Sequence, residues 1–345
     1  MPVDNAAIES RQGLIIRLTD TAGHYGYGEA APLPHFHQED LATVRRQFSD
    51  IQPALTGQPL PAGLERLQGG FERWLGRRRL PPSLRGALET AVLNLLACAQ
   101  GITLAELLAP SYWKKLPVNG LLAPGPAAVK QAQEMAAEGY AAVKLKVGQQ
   151  GVAQDIATVR AVRQALGERC ALRLDANRRW DLATAVQFGQ TIADCGIEYI
   201  EEPVADGTLI SAFHRATGLP VALDESLAGQ PVTAPYIANG VQALVLKPSL
   251  LGGLERTQAL IHFANQRGIR TVISSVFESG VGLAALANSA AALCAQRIPA
   301  GLDTYRWLAE DVPEIPFAAT HGRVDVEEAH QHAQRLRGDL LDNNS

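Results

Sequence analysis

The sequence predicts an α/β fold in which eight β/α units close into a barrel, preceded by a separate α+β unit. Three observations lead there. From about Pro117 to Asp303 a short β-branched run, a polar turn and an amphipathic stretch recur, the pattern of parallel strands joined by helices. Eight such units fit into fewer than 200 residues, which suits a closed barrel better than a doubly wound open sheet, the alternative. The 345 residues also exceed the length of about 250 that a barrel alone needs.

The first 115 residues read differently. Gly13 to Asp20 and Tyr25 to Ala30 flank Thr21-Ala22-Gly23-His24 as an antiparallel hairpin, and helical patterns follow near Leu41 to Phe48 and Leu84 to Ala99. The barrel strands are then Val118 to Leu121, Ala141 to Val147, Cys170 to Asp175, Ile197 to Glu201, Val221 to Asp224, Ala243 to Lys247, Ile269 to Ser275 and Ile298 to Leu302. Val152 to Leu166 and Leu254 to Arg267 are among the helices between them, the second closed by Gly268. Ser279 to Gln296 is uncharged but rich in Ala and Gly, so it reads as a buried helix rather than a membrane span. After about Thr304, a strand-like Gly322 to Val326 and a charged helix return towards the N-terminal unit.

Composition narrows the function classes. Hydrophobic residues at 47% and charged residues at 19% describe an ordinary globular chain. A net charge of -4 gives no field that would draw nucleic acid or an anionic membrane. Cys98, Cys170, Cys195 and Cys294 are far apart and form no CxxC pair, so neither a zinc site nor a disulfide framework is indicated. With no basic-then-apolar leader at the N-terminus, a reducing cytoplasm is the expected location.

The chemistry gathers at strand ends. Asp175, Glu201 and Asp224 close three successive strands at intervals of 26 and 23 residues, which brings their side chains to the barrel face that carries active sites. Singly, each reads as a helix cap or a turn residue. Three carboxylates within about 4 Å would repel pairwise by roughly 4 kcal/mol at an effective dielectric near 20, so a divalent cation is implied. An all-oxygen donor set favours Mg²⁺ and tolerates Mn²⁺. One unit earlier, Lys144 and Lys146 share a strand face, where repulsion from Lys144 would favour loss of a proton from Lys146. Lys247 ends a later strand and faces the same mouth, so two cations flank the metal between them. This arrangement suits proton abstraction from a carbon α to a carboxylate, on a small-molecule substrate, with the metal stabilising the enediolate.

These residues carry a resemblance. Lys-x-Lys, Asp-Ala-Asn, Glu-Glu-Pro, Asp-Glu-Ser and Lys-Pro at successive strand ends resemble the enolase superfamily, muconate-lactonizing subgroup, over nearly the whole chain. Lysine bases beside Mg²⁺-stabilised enediolates are a documented pattern of that superfamily. The resemblance implies a modified TIM (β/α)7β barrel, residues 116–303, under an α+β capping domain, residues 1–115, completed by the tail 304–345. It implies Asp175, Glu201 and Asp224 as metal ligands, Lys146 as base and Lys247 opposite. It also implies a further strand and loop at the start of the capping domain, which here looks shortened. No His occurs from Ile269 through Glu278, which disfavours the mandelate-racemase branch.

Within the subgroup, Gly26 to Pro34, Leu172 to Arg178, Ile273-Ser274-Ser275 with Glu278-Ser279, and Gly301 to Thr304 are similar to the o-succinylbenzoate synthase family. That likeness implies dehydration of 2-succinyl-6-hydroxy-2,4-cyclohexadiene-1-carboxylate to o-succinylbenzoate, on the way to menaquinone or phylloquinone. It places Lys144, Arg173, Ser274 and Gly301 at the substrate and Pro34 to His37 in a lid, although packing or turn geometry explains several of them equally well. Gly252-Gly253 opens a helix and could receive an anion. Rival readings are an N-acylamino-acid racemase or dipeptide epimerase with the same lysine pair, a Schiff-base aldolase, and a non-catalytic binding protein.

Overall fold

The computed structural model describes residues 2–3, 6–7, 9–76, 78–227, 230 and 237–341. Two short strands, β1 (Pro2–Val3) and β2 (Ala6–Ala7), precede the hairpin of β3 (Leu14–Thr19) and β4 (Tyr25–Ala30). Helices α1 (Leu41–Leu55), α2 (Gly70–Leu75), α3 (Pro82–Gln100) and α4 (Leu104–Leu108) follow. Asp40 caps α1 by accepting from Thr43 N, and Thr103 with Glu106 forms a capping box on α4. The hairpin lies directly on the buried helix α3. Side chains at Gly26 and Gly28 would prevent this, since a Cβ there would sit 2.2 Å from Leu95 N and 1.9 Å from Ala87 O.

The chain then forms β5 (Lys115–Pro117) and the barrel strands β6 (Gly120–Leu122), β7 (Ala142–Lys146), β8 (Ala171–Asp175), β9 (Ile197–Glu201), β10 (Val221–Leu223), β11 (Val241–Leu246) and β12 (Arg270–Ile273). These seven pair in sequence order, all in parallel. Between them run α5 (Ala127–Glu138), α6 (Val152–Leu166), α7 (Leu182–Thr191), α8 (Ile210–Thr217), the short α9 (Pro248–Leu251) and α10 (Leu254–Asn265).

The expected eighth strand, Ile298 to Leu302, is not a continuous strand. Single bridges Val118–Ala300 and Ser274–Gly301 replace it. Four main-chain bonds still close the ring: Ala300 N to Pro117 O, Asn119 N to Ala300 O, Gly301 N to Ile273 O and Ser275 N to Gly301 O, at 2.9 to 3.0 Å. Pro299 has no N–H to donate, which limits how far pairing can run. The core fills the space between strands and helices, from Val118 and Val143 round to Leu246 and Ile273.

After the barrel, α11 (Gly280–Leu293) is the buried helix expected from its uncharged sequence. Among the described residues no helix is long and apolar enough to cross a membrane. Strand β13 (Arg323–Asp325) pairs antiparallel with β5, and α12 (Val326–His332) packs on α11.

Candidate active site

Strand register sets the site in two levels. Lys146, Asp175 and Glu201 are aligned on neighbouring strands, and Lys144, Arg173 and Tyr199 are aligned one residue pair deeper. Each strand ends in a turn that fixes its last side chain. After Asp175, the left-handed residues Asn177 (φ 44°) and Arg178 (φ 59°) turn the chain away, and Asn177 N donates to Asp175 Oδ1 at 3.0 Å. After Glu201, Glu202 is also left-handed (φ 44°), and its carboxylate accepts from Asp224 N, Ser226 N and Ser226 Oγ at 2.6 to 2.8 Å. Glu-Glu-Pro and Asp-Glu-Ser therefore act as one unit: the second Glu holds the turn that presents Asp224. Lys247 is followed by Pro248 at the first position of α9, where a missing N–H costs nothing.

Lys144, Lys146, Asp175, Glu201 and Lys247 line one cavity with Ser274 and Gly301. Lys144 Nζ lies 2.8 Å from Asp175 and 2.9 Å from Glu201. Lys247 Nζ is hydrogen-bonded to Asp224 Oδ2, and its ammonium is 5.3 Å from the Phe36 ring centroid. Lys146 is half-buried and makes no hydrogen bond or ion pair among the described residues.

The electrostatics follow from burial. Loss of water drives Glu201 well above the ordinary carboxyl range, and the Asp175 charge adds to this. Burial opposes ionisation of Asp175 too, but the Lys144 and Lys146 charges outweigh it and hold that carboxyl below its usual value. Burial likewise works against charge on Lys144 and Lys247; their carboxylate neighbours prevail and raise both. Glu225 is pushed up to about 7, by burial and then by Asp224 and Asp175.

Among the described residues no three His, Cys, Asp or Glu side chains are grouped closely enough to hold a metal ion. The Lys144 and Lys247 ammonium groups contact the Asp175, Glu201 and Asp224 carboxylates. The donors nonetheless fit a hard divalent cation. They are all oxygens, and Glu201 Oε2 is buried without a hydrogen-bonding partner among the described residues.

Two expectations need correction. Lys144 lines the cavity as expected, but its charge is largely balanced by Asp175 and Glu201, which offsets the repulsion of Lys146 expected from the strand spacing. Arg173 does not line the cavity. It is 0% exposed and lies in the barrel floor, where Nε donates to Glu198 Oε2 at 2.6 Å and Nη1 to Asn119 Oδ1 and Pro299 O at 2.9 and 2.8 Å. The cause is a bulge: Leu172 pairs with Ile197 but Arg173 with Tyr199, which leaves Glu198 as the extra residue, where it meets Arg173 and Arg270. Alternation alone would have turned Glu198 outward.

Ser274 and Gly301 do sit at the cavity, joined by Ser274 Oγ to Gly301 O at 3.2 Å. Sequence reasoning missed Asp303, also at the cavity. Its carboxylate accepts from Leu121 N and Tyr140 Oη, both at 3.0 Å, and burial moves it up to about 6. Of the segment expected as a lid, Phe36 lines the cavity, with Leu33 just before it, and both pack with Val276 and Phe277.

A family model described as "Enolase C-terminal domain-like" matches residues 127–330, and one described as "MenC, N-terminal domain" matches residues 2–58. The o-succinylbenzoate synthase of Pectobacterium atrosepticum is 34% identical, with 87% of this chain and 84% of that protein covered. That of Aliivibrio fischeri strain ES114 is 31% identical, covering 88% and 87%. Protein PHYLLO, chloroplastic, from Arabidopsis thaliana is 34% identical over 88% of this chain, which spans only 20% of PHYLLO. Among solved structures, L-Ala-D/L-Glu epimerase from Bacillus subtilis superposes with a TM-score of 0.78 at 25% identity, covering 91% of this chain and 88% of that one. Muconate cycloisomerase from Pseudomonas fluorescens reaches 0.80 at 23% identity, covering 92% and 89%, a likeness of fold.

Proposed function

The chain belongs to the o-succinylbenzoate synthase family of the enolase superfamily, and on that premise we propose that it dehydrates 2-succinyl-6-hydroxy-2,4-cyclohexadiene-1-carboxylate to o-succinylbenzoate. The observation that carries this reading is the unpaired Lys146 amine across one cavity from Lys247, beside the strand-end carboxylates. Asp175, Glu201 and Asp224 would hold Mg²⁺, with Mn²⁺ as a substitute. When bound, the ion supplies positive charge next to the substrate carboxylate, which acidifies the neighbouring C–H.

Lys146 Nζ, acting as the base, takes the proton from the carbon bearing the ring carboxylate. The C–H electron pair moves into the ring carbon–carboxylate bond, and negative charge spreads onto the carboxylate oxygens. Lys247 keeps its proton and faces this charge from the opposite wall. The C–O bond to the 6-hydroxyl then breaks, the ring becomes aromatic, and Lys146 returns its proton to the departing oxygen as water. One proton leaves carbon and one water is released, with no net change at the lysines. Ser274 and the Gly301 backbone are proposed to receive the succinyl end, and the capping segments 1–115 and 304–345 to close over the barrel 116–303.

The test is absorbance as the diene aromatises. Lys146→Ala is expected to lower kcat by about 10² to 10⁴ fold with the fold retained by circular dichroism, and EDTA to abolish turnover until Mg²⁺ is restored. Efficient racemisation of N-succinyl amino acids without dehydration would reject this assignment in favour of the epimerase reading, which the Bacillus structural likeness keeps as the second candidate.

A further inference from the structure

We propose that Arg11 is a positioning residue that clamps the two apolar walls of the pocket to each other. Its guanidinium lies between the segment leaving the capping hairpin and the segment leaving the last barrel strand. Nε donates to Phe277 O at 3.2 Å, Nη1 to Pro32 O at 2.9 Å, and Nη2 to Ala31 O and to Val276 O, the latter at 3.4 Å. Nη1 also reaches the adjacent Gln12 O at 3.5 Å, so all five acceptors are main-chain carbonyls, two from each segment and one from Gln12, even though the charges of Glu29 and Glu278 lie nearby. A planar fork that grips backbone on both sides fixes position, and a lysine ammonium, a single point of charge, cannot span both.

The two clamped segments carry Leu33 and Phe36 on one side and Val276 and Phe277 on the other, which pack together at the cavity. Each segment also holds a non-glycine residue in the left-handed region, His35 at φ 69° and Phe277 at φ 58°. Such residues persist where the surroundings over-determine the backbone. Glu278 extends the link: its Oε1 accepts from Ser249 Oγ at 2.9 Å, two residues beyond Lys247. Arg11 thus touches no reacting atom but joins both walls to the turn that presents Lys247.

The inference rests on the dehydratase reading of this pocket. Walls that hold an apolar ring equally in the ground state and the transition state affect binding, so their loss shows in KM. In Arg11→Ala, KM is expected to rise by at least about tenfold while kcat stays within about threefold. Amide hydrogen exchange should quicken at residues 32–37 and 275–278 and not in Pro82–Gln100. Arg11→Lys should behave like Arg11→Ala, and added methylguanidinium should recover part of KM only in Arg11→Ala. A KM within about twofold of the parent, a kcat loss at unchanged KM, or faster exchange throughout Pro82–Gln100 would each overturn the clamp. A parent that turns over no diene at all would instead reject the functional reading, and the exchange pattern would still decide the role of Arg11.

Discussion

At the scale of single residues, the sharpest consequence concerns Lys144. Asp175 and Glu201 are 2% and 0% exposed, and the Lys144 ammonium is within 2.9 Å of both. Buried ions lose hydration worth several kcal/mol each, and removing one partner leaves the others uncompensated. Lys144→Met is therefore expected to destabilise the metal-free protein by about 3 kcal/mol in urea denaturation. Added Mg²⁺ should recover more stability in the variant than in the parent, because the ion then supplies the only cation between the two carboxylates. Equal Mg²⁺ effects on both proteins would show that Lys144 and the ion do not share those carboxylates. Arg173 differs although it lies on the same face: Glu198 takes its Nε, and Asn119 and the Pro299 carbonyl take its Nη1, below the site. Two residues of the same charge and neighbouring register thus divide into site and floor by what surrounds them.

At the scale of elements, the Gly252-Gly253 pair shows how α3 locks onto the barrel helix α10. The anion at the start of α10 comes from the protein itself: Glu89, on α3, accepts from Glu255 N at 3.0 Å and from Arg85 Nε at 3.0 Å. Glu255 in turn accepts from Phe71 N and Glu72 N at the start of α2. Gly253 sits at φ 112°, and a Cβ there would come 2.3 Å from Glu89 Oε2. Gly253→Ala would combine backbone strain with displacement of a buried carboxylate and is expected to cost at least about 2 kcal/mol. Urea denaturation of the variant tests this, and a loss under about 0.5 kcal/mol would refute the close packing. The same element shows where sequence reading stops. Strand ends at Asp175, Glu201 and Leu246, just before Lys247, were legible because β-branched runs and turns mark them locally, and the register then follows from the repeat. Which anion meets Gly253, and that a bulge turns Glu198 inward, depend on contacts between residues far apart in sequence. The eighth strand was legible as a position in the ring but not as two single bridges, since hydrophobic pattern records burial and not hydrogen bonding.

Across the whole molecule, α11 is where the N-terminal unit, the barrel and the tail meet. Glu29 of the hairpin accepts from Ser279 N and Gly282 N at its start, and Asp311 of the tail accepts from Gly280 N. Farther along, Asn288 accepts from Ala105 N of α4 and donates to Val326 O of α12. Docking of the tail should therefore be coupled to stability of the whole, and His330 on α12 gives a handle on it. Burial pulls its pKa down to about 4 despite nearby Glu106, whereas an unfolded chain titrates near 6.5. Between those values the unfolded chain binds the extra proton, so this histidine makes stability fall as pH drops through that window and adds no further change below it. Relative to His330→Leu, the parent should lose up to about 3 kcal/mol between pH 7 and pH 4, read from urea midpoints across the range. Glu89, pushed up to about 7 chiefly by burial, works in the opposite sense: its stabilising protonated form is lost as pH rises from about 4.5 to 7. It is present in both proteins, so it cancels in the comparison. A gap between parent and variant that stays constant from pH 7 to 4 would mean that burial does not hold the tail histidine neutral, and that the tail docks without the coupling argued here.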